Sequence, residues 1–241
     1  MKVRIKFQKH GAIRFIGHLD VMRFFQKTIR RAGLDVAYSG GYSPHQIMSF
    51  ASPLGVGLES NGEYMDIEVN SLTSCADTME RLNQASVPGI QVVSVKVLPE
   101  GAGNAMASVA AAAYTVRFRE GREPDVFGNK AEHEIARLLE DFLAQEEIVI
   151  TKEGKNGPRE VDIKPGIYEL KWTEHTLSML VDASSAGNIK PIQVIDAILS
   201  LHGEKLAENA LLITREETYM LSNDGNTLVS LDDIGIDDEK M

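Results

Sequence analysis

The chain has 241 residues, 43% of them hydrophobic, with one cysteine and a formal net charge of −10. Two domains of about 100 to 130 residues are expected from that length and apolar content, and no run of about 18 apolar residues offers a membrane-spanning helix. Cys75 alone excludes an internal disulfide, a cysteine-only metal site and an iron–sulfur centre, and reads as a small buried residue.

The opening MKVRIKFQKHGAIRF alternates charged and apolar residues where a signal peptide would carry an apolar block, so a cytoplasmic location with no membrane partner is expected. Within it, KVRIKF has the period of a strand, with Val3, Ile5 and Phe7 on one face and Lys2, Arg4 and Lys6 on the other. Leu19, Met22, Phe25, Ile29 and Ala32 then form one helical stripe, with Arg23, Lys27, Arg30 and Arg31 roughly opposite and Gly33 as the stop. Short apolar runs at 35–38 and 47–50 flank a Gly/Pro-rich loop. From Glu63 to Val69 the alternation returns, with Met65, Ile67 and Val69 inward and Tyr64, Asp66 and Glu68 outward. A helix capped by Thr73 or Ser74 runs to Ala85, and IQVVSVKVL closes the first half as a strand.

This βαββαβ order predicts an α+β, ferredoxin-like domain over 1–100, with helices covering one face of an antiparallel sheet and the other face open. In such a sheet the first and third strands are neighbours, so the row Lys2, Arg4, Lys6 should lie beside the row Tyr64, Asp66, Glu68. The small-residue segment near 99–110 marks a boundary. Alternation at AYTVRFRE, a helical stripe of Ala131, Ile135, Leu138 and Phe142, three further strand patterns and Pro191 at a helix start repeat the plan. A second, decorated ferredoxin-like domain is expected over 109–222, followed by a loosely held acidic tail at 223–241. The stretch TKEGKNGPREVDIKPGI, with Lys152, Lys155, Arg159 and Lys164 balanced by Glu153, Glu160 and Asp162, reads as a polar hairpin.

Charge is unevenly distributed. Residues 1–31 hold nine Lys or Arg against Asp20 alone, a net +8 that leaves −18 for the remainder, which suggests one basic surface on an acidic body. After pairing of the β-strand row, the surface expected to meet an anionic partner is Lys9 and Arg14 in the first loop, Arg23, Lys27, Arg30 and Arg31 on the helix, and Tyr42, His45 and Gln46 in the Gly/Pro-rich loop. His18 and Asp20 open the helix, and Asp20 suits a cap or first-turn acid. Together with His45 they are the candidates for metal-independent ribonuclease chemistry, in which two imidazoles trade protons near neutral pH. No metal-ligand spacing is present, and Gly55-Val-Gly57 lacks the partners of a phosphate or dinucleotide loop, so neither metal nor cofactor is expected.

The stretch KHGAIRFIGHLDVMRFFQKTIRRAGLDVAYSGGYSPHQIMSFASPLGVGLESNGEYMDIEV, with the later REVDIKPGI, resembles the radical-SAM-linked bacterial family, whose members occur fused behind a radical-SAM enzyme or as separate proteins encoded near one. The resemblance covers almost the whole chain. It implies a stand-alone accessory to a radical-SAM enzyme. With the basic helix and the His45 loop, the expected function is an accessory that binds or presents an RNA substrate, the ribonuclease and a protein-only adaptor being the alternatives. No catalytic residues carry over from it.

Overall fold

The computed structural model describes every residue except 129, 155, 156, 223 and 238–241; Lys155 of the expected polar hairpin and the last four residues of the expected tail lie outside the described residues. The protein is mixed α/β, its strands mostly antiparallel and accompanied by several helices. The chain divides into unit 1, residues 1–110 and 215–241, and unit 2, residues 111–214.

Unit 1 runs β1 (Lys2–Lys9), α1 (His18–Arg31), β2 (Met48–Phe50), β3 (Glu59–Glu68), α2 (Cys75–Gln84), β4 (Ile90–Val97) and the single turn α3 (Ala105–Ser108). Its sheet has the order β4-β1-β3, with β2 on β3, all antiparallel. Lys2 faces Glu68, Arg4 faces Asp66 and Lys6 faces Tyr64, so the two polar rows lie side by side as the alternation predicts. On the other side of the pleat Val3, Ile5 and Phe7 meet Met65 and Ile67, and Phe25, Ile29 and Leu82 of α1 and α2 seal that face. Phe7 and Phe25 meet edge to face at 4.6 Å. Gly33, at φ +65°, ends α1 in the left-handed conformation that glycine adopts without strain.

Two expectations need correction. Leu19 is 59% exposed and not part of the buried stripe, which holds Val21, Phe25, Thr28 and Ile29. At 3.6 residues per turn, Leu19 sits roughly a third of a turn away from the face that Phe25 and Ile29 bury. Nor is the second face of the sheet open: Arg4 is 2% exposed and Asp66 3%. Segment 99–108 and the returning C-terminal chain cover it, which is why the outward row of β3 is buried as well.

Unit 2 runs from β5 (Val109–Phe118) through α4 (Asp125–Gly128), α5 (Glu132–Leu143), β6 (Val149–Gly154), β7 (Gly157–Asp162), β8 (Ile167–Thr173), β9 (Thr176–Asp182) and α6 (Pro191–Leu201) into β10 (Leu211–Leu221). β5, β9 and β8 are successive antiparallel neighbours, and the Arg119 amide bonds the Ala210 carbonyl at 2.8 Å where β10 begins. β6 and β7 form the expected polar hairpin as a separate two-stranded sheet. Pro191 opens α6, and Ile135, Leu139, Val194, Ile195 and Ile198 pack with Val116, Leu177 and Val181 in the core of this unit.

From Arg215 onward β10 belongs to unit 1, where β11 (Leu228–Ser230) pairs with its end. Leu231 is fully buried and Ile236 bridges Val97. Residues 228–236 of the expected tail are therefore held within unit 1, Leu231 by burial and the 41% exposed Ile236 by exchanging backbone bonds of 3.1 and 3.0 Å with Val97, while 224–227 stay exposed.

Candidate functional site

The basic residues of the first 31 positions separate into two populations. Those of β1 and the loop after it are held inside unit 1. The Arg4 guanidinium grips Asp66 through two parallel bonds of 2.8 and 3.1 Å and donates a third to the Leu231 carbonyl at 3.2 Å, while Asp66 also accepts the Ala105 amide. Lys6 reaches Glu217 at 2.7 Å. Glu217 also accepts the Tyr64 hydroxyl at 2.6 Å; burial first, and the carboxylate second, push that phenol well above its ordinary range. Arg215 pairs with Glu63 at 2.9 Å, both nearly inaccessible. Lys9, expected on the surface, is 2% exposed, and its ammonium donates to the carbonyls of Ile16 and Arg14 at 3.1 and 3.4 Å. Desolvation draws its pKa below the ordinary lysine value, Glu63 opposing and Arg215 reinforcing. Arg14 donates to Glu59 at 3.1 Å and lies 4.8 Å over the Phe15 ring. Burial alone would raise the Glu59 pKa, but bonds from the Gly11 amide, His10 and Arg14 hold it below the usual carboxylate range.

The residues of α1 are differently placed. Arg23, Lys27, Arg30 and Arg31 all lie on its exposed side. Gly17 occupies the N-cap position without a side-chain bond, so Asp20 acts as a first-turn acid, where the positive end of the helix dipole favours it. It meets Arg23 at 3.3 Å in a wholly exposed pair that holds neither side chain firmly. Arg30 donates to the Gln26 carbonyl at 3.2 Å and keeps the rest of its guanidinium toward solvent. Arg31 has a structural task that the sequence reading missed. It donates to the Ala85 carbonyl at the end of α2 (2.8 Å), while Arg81 of α2 donates to the carbonyls of Ala32 and Gly33 at the end of α1 (2.8 and 2.6 Å). Each guanidinium thus supplies the partner for carbonyls orphaned at the other helix's C-terminus. The signal available in the sequence is an arginine in the last turn of both helices.

The Gly/Pro-rich stretch is two loops split by β2. The first is a small hairpin: Tyr38 bridges Gln46, and the Ser39 amide bonds the His45 carbonyl at 2.8 Å, leaving Gly40 to Pro44 as its tip with Gly41 at φ +97°. The second, 51–58, returns beside Arg14, whose carbonyl accepts the Gly57 amide at 2.8 Å. At the tip of the first, Tyr42 is completely exposed. His45 is exposed too, its Nδ1 2.9 Å from the Ser39 hydroxyl. Gln46 is not a surface group: it is 5% exposed, its amide donates to the Gln26 carbonyl at 3.3 Å, and its Oε1 is buried without a partner. That bond fastens the hairpin to α1 at the residue flanked by Arg23, Lys27 and Arg30. The arrangement presents three exposed cations on α1 where the base of the hairpin is fastened, with an exposed tyrosine at the hairpin tip, a form suited to phosphates and an unstacked base.

His18 and His45 have separate surroundings. The His18 ring meets Phe50 edge-on at 5.1 Å, His45 is bonded within its hairpin, and Asp20 shares an exposed pair with Arg23. Among the described residues no group of three potential metal ligands occurs. Nor is any helix among them long and apolar enough to cross a membrane. A family model described as "Uncharacterized protein conserved in bacteria (DUF2344)" matches residues 2–191. A search of curated proteins returns no match.

Proposed function

The chain belongs to the bacterial family DUF2344, and from that premise we propose that it binds structured RNA on the exposed side of α1 and the 38–46 hairpin, as an accessory to a radical-SAM enzyme. The enzyme partner rests on the resemblance carried by the stretch around His18 to Glu63. The RNA reading rests on one observation: the Gln46 to Gln26 bond, which holds the fully exposed Tyr42 loop beside Arg23, Lys27 and Arg30. A protein of net charge −10 repels polyanions except where cations are concentrated. With Lys9 buried and Arg14 half-buried against Glu59, α1 carries that concentration. Lys27 and Arg30 would take phosphates, and Tyr42 would stack on a splayed base.

The same reading takes both units as ferredoxin-like. Its support is the strand order, β4-β1-β3-β2 in unit 1 and β10-β5-β9-β8 in unit 2, with the β6–β7 hairpin as decoration. Fold alone says little about function.

The test is fluorescence anisotropy of a labelled structured RNA over a salt series, with the triple charge reversal Arg23→Glu, Lys27→Glu, Arg30→Glu. Arg31 is left intact because it caps α2. Binding is expected to fall steeply with salt in the native protein, to weaken at least about tenfold in the variant, and to lose roughly one unit of log–log salt slope per phosphate contact removed. Salt-insensitive or absent binding rejects the reading. Absence of RNA binding with retention of a complex with the enzyme selects the adaptor instead, its basic α1 face docking on an acidic enzyme surface.

A further inference from the structure

Unit 2 holds a cavity of about 420 Å³, within the range of small-ligand sites, that plays no part in the α1 surface. Phe118 at the end of β5, Phe127 of α4 and Trp172 near the end of β8 supply its aromatic wall, and His175 of the β8–β9 turn extends it. The rings form a continuous series: Phe118 to Phe127 at 5.1 Å, Phe127 to Trp172 at 5.3 Å with planes 26° apart, and Trp172 to His175 edge-on at 6.5 Å. The β8–β9 turn is tight. Glu174 and His175 both take left-handed backbone conformations, at φ 49° and 59°, and the Glu174 amide is held by the Glu132 carboxylate at 2.9 Å. This fixes the side on which His175 stands.

The charge of the lining has one sign. It contains Glu120, Glu123 and Asp125 and neither lysine nor arginine among the described residues. Arg117 and Arg119, which flank Phe118 in sequence, are not among the lining residues, and Arg122 sends its guanidinium to the Glu208 carbonyl at 2.6 Å; among the described residues no ion pair takes up the three carboxylates. Aromatic faces attract cations through their quadrupole, most strongly when part of the cation's hydration is lost, and nearby carboxylates add direct Coulomb attraction. An anion such as a nucleic-acid phosphate meets repulsion at the same place. We propose that this cavity binds an organic cation head group, a guanidinium or an alkylated ammonium, against the Phe118, Phe127 and Trp172 wall, with Glu120, Glu123 and Asp125 at its rim.

Trp172 is the chain's one tryptophan, so intrinsic fluorescence reports on this cavity directly. The full chain is titrated with methylguanidinium chloride and with tetramethylammonium chloride, with sodium chloride and neutral tert-butanol as controls at matched concentration. A saturable change with at least one organic cation, absent from both controls and weakened at least about fivefold in Glu123→Gln, Asp125→Asn, is the expected result. Both substituted side chains are exposed, and far-UV circular dichroism of the variant checks that its fold is intact. A linear change matched by sodium chloride or tert-butanol, or an affinity unaltered in the folded double variant, overturns the proposal. N-acetyl-arginine amide separates the sources of the cation. Tighter binding than methylguanidinium supports a peptide-borne side chain, and equal or weaker binding supports a free small molecule.

Discussion

β1 and α1 carry the same kind of residue to opposite ends. Four basic side chains on β1, Lys2, Arg4, Lys6 and Lys9, go to carbonyls and carboxylates within unit 1. Four on α1 lie on the exposed side of a helix, and only Arg31 is fastened to a neighbouring element. The difference is one of geometry. A strand in the middle of a sheet meets a partner row at every second residue, so its charges can be matched across the ladder and then covered. A helix lying on a sheet buries one stripe and leaves the opposite side in water. A net charge of +8 over the first 31 residues therefore overstates the basic surface. About half of that charge holds the fold together.

The comparison is broken most severely at Arg4 and Asp66. Asp66→Ala leaves a guanidinium in the interior with its bidentate acceptor gone, and a loss of about 3–5 kcal/mol in urea denaturation is expected, because an unpaired buried charge costs far more than the pair contributes. The double substitution Arg4→Met, Asp66→Leu should cost clearly less than the single one. A single variant as stable as the native protein would mean that this face of the sheet is wet, and the contrast between β1 and α1 would fail. A smaller effect sharpens the distinction within the helices themselves. Arg81→Ala should destabilise by about 1–2 kcal/mol, since two C-terminal carbonyls of α1 lose a charged donor. Arg23→Ala should stay within about 0.5 kcal/mol, since it removes only an exposed pair. Equal effects from the two would show that the capping bonds are not held in solution.

How much of this was legible in the residues follows from the distance over which each signal acts. The pairing of Lys2, Arg4 and Lys6 with Tyr64, Asp66 and Glu68 could be read because period-two alternation in two segments fixes both faces at once. The stop at Gly33 could be read because it is local. The burial of the polar rows could not. It depends on residues 215–233 returning some 150 positions later, and nothing in the alternation of β10 announces that Glu217 and Arg215 will meet Lys6 and Glu63. At the candidate site, the cations of α1 and the exposure of Tyr42 and His45 were legible from helical spacing and from a Gly/Pro-rich turn. The inward turn of Lys9 and Gln46 was not, since both are polar residues whose burial is set by partners in other segments. The aromatic wall in unit 2 draws on positions 118, 127 and 172, which form no sequence motif.

Lys9 offers the finest test, because it is the member of the β1 set whose charge is compensated least completely. Its ammonium has carbonyl acceptors and a nearby Glu63, yet desolvation dominates and its pKa in the folded protein lies below the ordinary 10.5. The unfolded chain consequently holds this proton more tightly than the folded one, and between the two pKa values it binds more protons. Stability from this group therefore rises with pH across that alkaline window: the cost of burying the charge is present in full below the folded pKa and is gone above the unfolded one. Lys9→Met has no such group. Comparing urea midpoints of the native protein and the variant at about pH 7 and about pH 10 isolates the contribution, since other alkaline titrations are common to both. The native protein should gain on the variant as pH rises. A difference that stays level, or moves the other way, would mean that the carbonyls of Arg14 and Ile16 with Glu63 fully offset the desolvation. Lys9 would then be as well paired as Arg4, and the inward set on β1 would be electrostatically complete.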